Sequence, residues 1–155
     1  MNPGISDEKI LITIVIIVVV ILLSGIFWQL FVRRRRATDL FADMEGHEFE
    51  YFCADLLRQR GFVEVEVTKG SGDYGIDILA EKEGVTYAIQ CKCYTTPVGV
   101  KAVQEAYAGR DYYDRMVGVV MTNQYFTAPA VDAAKKLKIL LWDGGYMEGM
   151  MEEDR

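Results

Sequence analysis

The chain has 155 residues, with 17 lysines and arginines against 23 aspartates and glutamates, and a formal charge of −6. Its three cysteines, Cys53, Cys91 and Cys93, are an odd number without framework spacing, which argues against a disulfide-stapled domain. A zinc site is also disfavoured, because no second cysteine pair is present and His47 is the only histidine. We expect free thiols, with Cys91 and Cys93 facing the core.

The chain begins with a long apolar run from Ile10 to Val32. As a helix rising ~1.5 Å per residue it would span roughly 34 Å, enough to cross the hydrocarbon core of a bilayer. It is too long for a cleaved signal peptide, its start lacks a basic cluster, and no small-residue cleavage site follows. We therefore expect one transmembrane helix over residues 10–32.

The charges that flank this run predict its orientation. Arg33–Arg36 follow it directly, whereas residues 1–9 carry one lysine and two acidic side chains. The positive-inside rule places residues 1–9 outside and the rest of the chain in the cytoplasm, as a single-pass protein of the cytoplasmic membrane. The arginines could also form a nucleic-acid patch or a targeting signal, but their place at the membrane edge favours topology and lipid contact. Residues 33–45 are expected to be a basic juxtamembrane linker, with helix after Thr38 as an N-cap.

The part of the chain from Ala37 onward has the size of one domain. It carries 12 basic and 21 acidic residues, a formal charge of −9. Phosphate contacts supply most non-specific affinity for DNA, so this charge predicts weak intrinsic DNA binding.

Hydrophobic periodicity divides residues 46–145 into eight elements. Helices are predicted over 46–60, 100–113 and 126–137, and strands over 62–68, 76–81, 85–94, 116–122 and 139–142. The strand at 62–68 alternates regularly, with one wet face, whereas the strand at 116–122 is apolar throughout and should be buried on both faces. Residues 146–155 are expected to be an acidic tail, solvated or frayed.

The order of these elements predicts the fold class. Three strands joined by short turns should form an antiparallel meander, and the strand–helix–strand that follows adds a parallel component. We therefore expect an α/β domain with a mixed central sheet and flanking helices, preceded by one transmembrane helix.

Polar side chains on two neighbouring strands indicate the chemistry. The glycine-rich turn Gly72–Gly75 delivers Asp77 onto a strand, and the next strand carries Gln90 and Lys92. Residues two apart in a strand point to the same face, so Gln90 and Lys92 project together. With Asp77 across from them, the three would hold a divalent metal and activate a water, as hydrolysis of a phosphodiester requires.

Residues from about 46 to 145 resemble the Mrr-type catalytic domain of the PD-(D/E)XK, or restriction endonuclease-like, nuclease superfamily. The resembling segments are GHEFEYF at 46–52, TKGSGDYGID at 68–77, QCKCY at 90–94 and VGVKAVQE at 98–105, with looser matches at 122–127 and 142–144. The resemblance implies the restriction endonuclease-like core, α-β-β-β-α-β, with a further helix and strand. It also implies DNA as the substrate and Mg²⁺ as the cofactor, with Mn²⁺ as a possible substitute.

The resemblance assigns four catalytic residues. Asp77 is the metal-binding aspartate, Gln90 and Lys92 fill the (D/E)XK positions in a Gln-x-Lys form, and Glu50 is the acidic helix residue that completes the site. Asp77, Gln90 and Glu50 would be the metal ligands. Lys92 would position or deprotonate the attacking water and stabilise charge on the phosphate. Gln90 removes one negative charge beside the metal, which predicts a modest affinity for Mg²⁺.

Structural roles remain open for each of these residues. Asp77 could instead cap the glycine-rich turn, Lys92 could be a solvated strand lysine, Gln90 an edge amide bonded to backbone, and Glu50 an exposed helix carboxylate.

Four further residues are candidate nucleic-acid contacts: Lys69, Tyr74, Lys101 and Gln104. Surface solubility is the alternative role of Lys69, Lys101 and Gln104. Tyr74 stands where relatives commonly have a small residue, and it could stack on a base or simply cover the turn.

Two functions follow from these residues. The first is a membrane-anchored, metal-dependent DNA endonuclease, which could restrict foreign or modified DNA. The second is a nuclease-fold module that no longer cuts and serves as a tethered binder of nucleic acid or protein. A homodimer is a further expectation, since cutting two strands usually needs two active sites.

Overall fold

A computed structural model describes residues 7–41, 44–69 and 74–152 of the chain. The protein consists of two compact units, and the boundary between them in the chain falls between residues 35 and 36. Helix α1, Asp7–Leu40, is continuous over 34 residues. The separate helical start expected after Thr38 is therefore wrong, because no proline or glycine breaks the backbone after Val32. Within α1, Ile10–Trp28 has a mean hydropathy of 3.4 and is long and apolar enough to cross a membrane.

The second unit contains a five-stranded sheet with helices on both faces. The strands are β1 Val63–Val67, β2 Ile78–Lys82, β3 Val85–Lys92, β4 Val117–Thr122 and β5 Ile139–Trp142. The helices are α2 Gly46–Gln59, α3 Val100–Tyr112, α4 Ala128–Leu137 and α5 Gly144–Glu152. Spatial strand order follows the chain, with β1, β2 and β3 antiparallel and β3, β4 and β5 parallel. The predicted mixed α/β fold is confirmed.

The sheet separates two apolar layers. On one face Phe49 and Leu57 of α2 pack with Ile89, Met121 and other residues of the strands. On the other face α3 and α4 pack against the sheet through Val103, Ala106, Val120, Ala130 and Ile139. Residues of β4 are thus buried alternately in both layers, which confirms the prediction from its unbroken apolar sequence.

Strand β1 departs from the regular alternation that was predicted for it. The register against β2 shifts between Val63 and Glu66, and Glu64 has a left-handed φ of 49°. This bulge leaves Phe62 buried and Val63 exposed, while Val65 packs on the core. The prediction of one uninterrupted wet face is therefore wrong at the start of the strand.

The C-terminal residues also differ from the prediction. Instead of a frayed tail, residues up to Glu152 form α5, whose Met147 is fully buried against the α2 layer. Burial of this methionine, with Met150 and Met151 packed beside it, stabilises the helix. Residues 153–155 of the expected tail lie outside the described part of the chain.

Several boundaries have a local cause. Helix α2 begins with a capping box, in which the Glu48 carboxylate accepts from the backbone N–H of Glu45. Helix α4 begins two residues later than predicted, because the Thr127 hydroxyl accepts from the backbone N–H of Ala130 and caps it there. All three cysteines are free thiols, as predicted.

Candidate active site

The candidate site lies where β2 begins beside the end of β3. The ladder extends past β2, because the Asp77 N–H donates to Ile89 O and its carbonyl accepts from Thr68 N, both at 2.9 Å. The Asp77 carboxylate Oδ2 then accepts from the backbone N–H of Cys91 at 2.6 Å. Cys91 lies between Gln90 and Lys92, so the sheet brings Asp77 next to the Gln-x-Lys segment. Asp73, the other acidic residue of the turn, lies outside the described residues.

The turn that leads to Asp77 depends on a left-handed backbone. Tyr74 and Gly75 have φ values of 50° and 77°. A Cβ on Gly75 would lie 3.1 Å from Glu105 Cβ and 3.2 Å from Gln90 Nε2. Glycine is therefore needed here both for its conformation and for the close approach of the turn to these two side chains.

The Gln90 side chain is buried and only half satisfied. The residue is 1% exposed, and its Nε2 donates to Glu105 Oε2 at 2.7 Å. This bond fixes the orientation of the amide and turns its carbonyl oxygen away from Glu105. That oxygen, Oε1, is buried and accepts no hydrogen bond. A buried acceptor without a donor is costly, by about 1–3 kcal/mol, so it is an unusual feature of a stable core.

A charged cluster stands beside this amide. Lys92 Nζ lies 3.3 Å from Glu105 Oε2, and Lys101 Nζ lies 3.6 Å from Glu105 Oε1. Burial of Glu105 favours its neutral form, but the hydrogen bond from Gln90 and the charge of the two lysines outweigh burial and lower the pKa of Glu105. Glu105 is therefore a carboxylate at neutral pH and holds Lys92 in place.

Glu50 approaches the site from the opposite layer. It lies on α2, its side chain is 16% exposed, and Oε2 is 2.9 Å from His47 Nδ1. The hydrogen bond that His47 donates to Glu50, together with the charge of Glu50, raises the pKa of His47, and the charge of Asp77 adds to this rise. Glu50 and Asp77 both contribute to the raised pKa of the Cys91 thiol, after the larger effects of its hydrogen bond with Cys53 and of burial. Of the two carboxylates, that of Asp77 contacts Cys91 directly, through the backbone N–H.

The residues present suit a hard cation at this place. Across residues 7–41, 44–69 and 74–152, no three His, Cys, Asp or Glu side chains gather closely enough to hold a metal by themselves. The oxygen atoms that could bind a metal ion here are instead those of the Asp77 carboxylate and the unsatisfied carbonyl oxygen of Gln90. Mg²⁺ takes oxygen ligands and keeps several waters, so one carboxylate, one amide oxygen and substrate phosphate are a suitable set.

The candidate DNA contacts all lie on the surface. Lys69 and Gln104 are exposed, and so is Lys101, although its ammonium pairs with Glu105. Tyr74 is exposed, and its ring stacks on that of Tyr112 with the centroids 3.7 Å apart. The sequence offered no reason to expect this pairing.

Sequence reasoning overlooked two residues that organise the site. Glu105 lies within the matching segment 98–105 without an assigned role, although its place on α3 three residues after the buried Ala102 could have indicated that it faces the sheet. Asn123 binds both backbone groups of Tyr94 through its side-chain amide, at 2.9 and 3.0 Å. Thr122 Oγ1 donates to Lys92 O at 2.6 Å. Together these hydrogen bonds connect the end of β3 and the residues after it to the end of β4.

A separate cavity of about 510 Å³ contains none of the predicted site residues. It lies on the α2 side of the sheet, beside α5, and Phe62, Tyr87, Trp142 and Tyr146 form its aromatic lining. The candidate chemistry therefore lies outside this cavity.

A mixed sheet whose β2–β3 junction carries Asp77 beside Gln90 and Lys92 has the architecture of restriction endonuclease-like proteins. The restriction endonuclease profile of the Mrr catalytic domain matches residues 41–151, which is most of the chain. The chain therefore belongs to this restriction endonuclease family. No curated protein sequence matches it.

Three solved structures are similar to the protein. A protein of unknown function, AF1548, is 26% identical, with a TM-score of 0.58, over 68% of this chain and 64% of that one. The DNA modification-dependent restriction endonuclease AspBHI is 19% identical, with a TM-score of 0.59, over 77% of this chain and 35% of that one. The MspJI restriction endonuclease, in complex with a 27-mer oligonucleotide, is 20% identical, with a TM-score of 0.48, over 81% of this chain and 29% of that one. The chain thus spans less than two thirds of each of these proteins.

Proposed function

We propose that the protein is a membrane-anchored DNA endonuclease that hydrolyses phosphodiester bonds with the help of a divalent cation. The observation that carries the proposal is the buried, unsatisfied carbonyl oxygen of Gln90, one residue from the N–H that holds the Asp77 carboxylate at 2.6 Å. Membership of a restriction endonuclease family supports the same conclusion. Restriction of foreign or modified DNA is the role that such an activity would serve.

Asp77 and Gln90 would hold the cation, and Glu50 would reach it through water from the α2 side. A cation held there would supply Lewis-acid chemistry, lowering the pKa of a water and stabilising negative charge on the phosphate. Mg²⁺ is the expected ion, and Mn²⁺ would substitute for it. The affinity is expected to be modest, because an amide stands where a second carboxylate would add charge.

Lys92 would contact the attacking water and the phosphate. Its ammonium lies 3.3 Å from Glu105, whose lowered pKa keeps it ionised. Glu105 is therefore a positioning residue that restricts the flexible Lys92 side chain to one region. The hydrogen bond that the Thr122 hydroxyl donates to Lys92 O fixes the backbone from which this side chain extends.

Plasmid cleavage by the full chain in detergent tests this proposal. The wild type should nick supercoiled DNA with Mg²⁺ or Mn²⁺ and not with EDTA, whereas Asp77→Ala and Lys92→Ala should lose at least about 100-fold in rate, in line with the loss of a group that stabilises transition-state charge. Lys135→Ala, an exposed lysine on α4, is the matched control and should cut at the wild-type rate. Nicking that survives in Asp77→Ala would contradict the assigned site.

The second candidate is a tethered binder of nucleic acid or protein that no longer cuts. The formal charge of −9 from Ala37 onward and the amide at Gln90 favour it. It predicts no cleavage of duplex, single-stranded or branched DNA by the wild type with either metal. Cleavage of any of these that Asp77→Ala abolishes would exclude this candidate.

The proposed location is the cytoplasmic membrane, with the N-terminus outside and the nuclease domain in the cytoplasm. The apolar segment Ile10–Trp28 and the four arginines after Val32 support it. A fluorescent protein fused to the C-terminus should fluoresce in cells, whereas alkaline phosphatase at the same place should be inactive. Active phosphatase would place the domain outside and reverse the topology.

A further inference from the structure

Two exposed tyrosines form a stacked pair at the surface. Tyr74 and Tyr112 are 56% and 57% exposed, and their rings stack at 3.7 Å with an angle of 27° between the planes. We call this pair the tyrosine platform. Each ring keeps a large share of its surface open to solvent, where a further ring could stack on it.

The tyrosine platform adjoins the proposed catalytic residues. Tyr74 directly precedes Gly75, whose backbone packs against Gln90 and Glu105. Tyr112 lies seven residues after Glu105 on α3, which is two helical turns or about 10 Å along the same face. A DNA strand with a phosphate at the site would therefore have a neighbouring nucleotide within reach of the tyrosine platform.

The tyrosine platform is built as a rigid surface. A Cβ on Gly109 would lie 3.0 Å from Tyr74 O and would clash with Ile76 Cγ1, so α3 and the turn are in close contact beneath the tyrosine platform. Tyr113 packs edge-on against Tyr112 at 5.1 Å. Both phenols of the tyrosine platform are neutral at pH 7, as tyrosines ordinarily are, and do not repel phosphate. An ordered aromatic surface binds with little loss of side-chain entropy.

Charge disfavours duplex DNA as the ligand of this surface. Affinity for a duplex comes mainly from lysines and arginines on its phosphates, and residues from Ala37 onward have a formal charge of −9. Lys101, near the site, is already paired with Glu105. Stacking on aromatic rings contributes ~1–3 kcal/mol per base and needs no net positive charge. Bases inside a duplex have both faces covered by their neighbours and cannot stack on a protein ring.

We propose that the substrate is DNA with unpaired bases, held by stacking of a base on the tyrosine platform beside the scissile phosphate. This inference rests on the proposed nuclease function, which it deepens by naming the class of DNA. The platform is a binding surface and takes no part in the chemical step.

Binding is tested with the full-length Asp77→Asn variant in detergent, which should not cut. Fluorescence anisotropy should show a 20-nucleotide single strand binding at least about 10-fold more tightly than the blunt duplex that the same strand forms with its complement. An abasic strand, which keeps the phosphates and lacks the bases, should bind no better than the duplex. Equal binding of the abasic and normal strands would overturn the proposal without any change to the protein.

Substitutions in the tyrosine platform give a second measurement. Tyr112→Ala should weaken single-strand binding about 5- to 150-fold, the range that ~1–3 kcal/mol corresponds to, whereas Tyr112→Phe should keep it. Tyr146→Ala is the matched control, because this tyrosine of α5 is equally exposed and also stacked, on Trp142, but lies on the other face of the sheet. Unchanged binding by Tyr112→Ala would refute the stacking role.

Cleavage rates separate this inference from the proposed function. With Mg²⁺, the wild type should cut a single-stranded circle faster than the matching closed duplex, and Tyr112→Ala should remove the difference. Equal cutting of both forms, unaffected by Tyr112→Ala, would refute the inference and leave the nuclease intact. If no DNA is cut, the proposed catalysis fails, and the binding measurements decide alone whether the platform holds unpaired bases.

Discussion

Replacing Gln90 by glutamate is the most direct test of the buried site. The Gln90 amide donates to Glu105 Oε2 at 2.7 Å, so Gln90→Glu puts two carboxylates at hydrogen-bond distance. At an effective dielectric constant of 20, two charges 2.7 Å apart repel by ~6 kcal/mol. Protonating one carboxyl at pH 7, from an ordinary pKa near 4.3, costs only about 4 kcal/mol. The pair is therefore expected to take up a proton.

The expected loss of stability follows from that proton. The folded pKa of the pair is raised above the unfolded value, so the loss is present at pH above about 4.3 and disappears as the pH falls below it. We expect Gln90→Glu to lower the free energy of unfolding by about 2–4 kcal/mol at pH 7, with Lys92 offsetting part of the repulsion, and by about 1 kcal/mol at pH 5. Saturating Mg²⁺ should restore more stability to the variant than to the wild type, because a cation neutralises the added charge.

The assay is urea unfolding of the full chain in detergent, followed by the emission of the buried Trp142 in a Trp28→Phe background. Gln104→Glu, which adds the same charge at an exposed position of α3, is the control and should change stability by less than about 0.5 kcal/mol. If Gln90→Glu is as stable as the wild type at pH 7, Gln90 does not donate to Glu105 inside a buried site, and the proposed cation site loses its basis.

Three further predictions concern the surroundings of the site. Gly109→Ala should lower the free energy of unfolding by about 1–3 kcal/mol, because the added methyl group overpacks the contact of α3 with the turn. Gly149→Ala on α5, where the methyl group would point into open space, should raise it by up to ~1 kcal/mol, and equal changes of the two variants in urea unfolding would contradict the tight contact at Gly109. Because the pKa of His47 is raised, its ion pair with Glu50 is present below that pKa and is lost above it. The Mg²⁺ affinity measured by calorimetry should therefore increase as the pH rises through and above 6.5, and His47→Gln should flatten this pH profile. Identical pH profiles of the wild type and His47→Gln would show that Glu50 does not assist the cation. Iodoacetamide should alkylate the partly buried Cys93 before the two buried thiols, as peptide mapping would show, and simultaneous modification would contradict the packing of this layer.

Most of the elements between residues 46 and 145, and the mixed character of the sheet, could be predicted from the sequence alone. Apolar periodicity located α2, α3 and β5 nearly to the residue, because burial of one face is enforced by the spacing of side chains. Short turns required an antiparallel β1–β2–β3, and the helical crossovers required parallel β3, β4 and β5. The alternation of side chains along a strand was enough to predict that Gln90 and Lys92 point to the same face of the sheet.

The partners of the side chains around Asp77 could not be predicted from the sequence, because they depend on how distant elements pack together. The bond between Gln90 and Glu105 joins residues 15 apart on different elements, and no local pattern specifies which face of α3 meets β3. The same packing buries the Gln90 carbonyl without a donor and stacks Tyr74 on Tyr112. The bulge in β1 and the helix at α5 arise likewise from burial of Phe62 and Met147, which outweighs the alternating and acidic patterns of their segments. Contacts between distant residues depend on the shape of the whole core, whereas sequence spacing reports only on neighbours within one element.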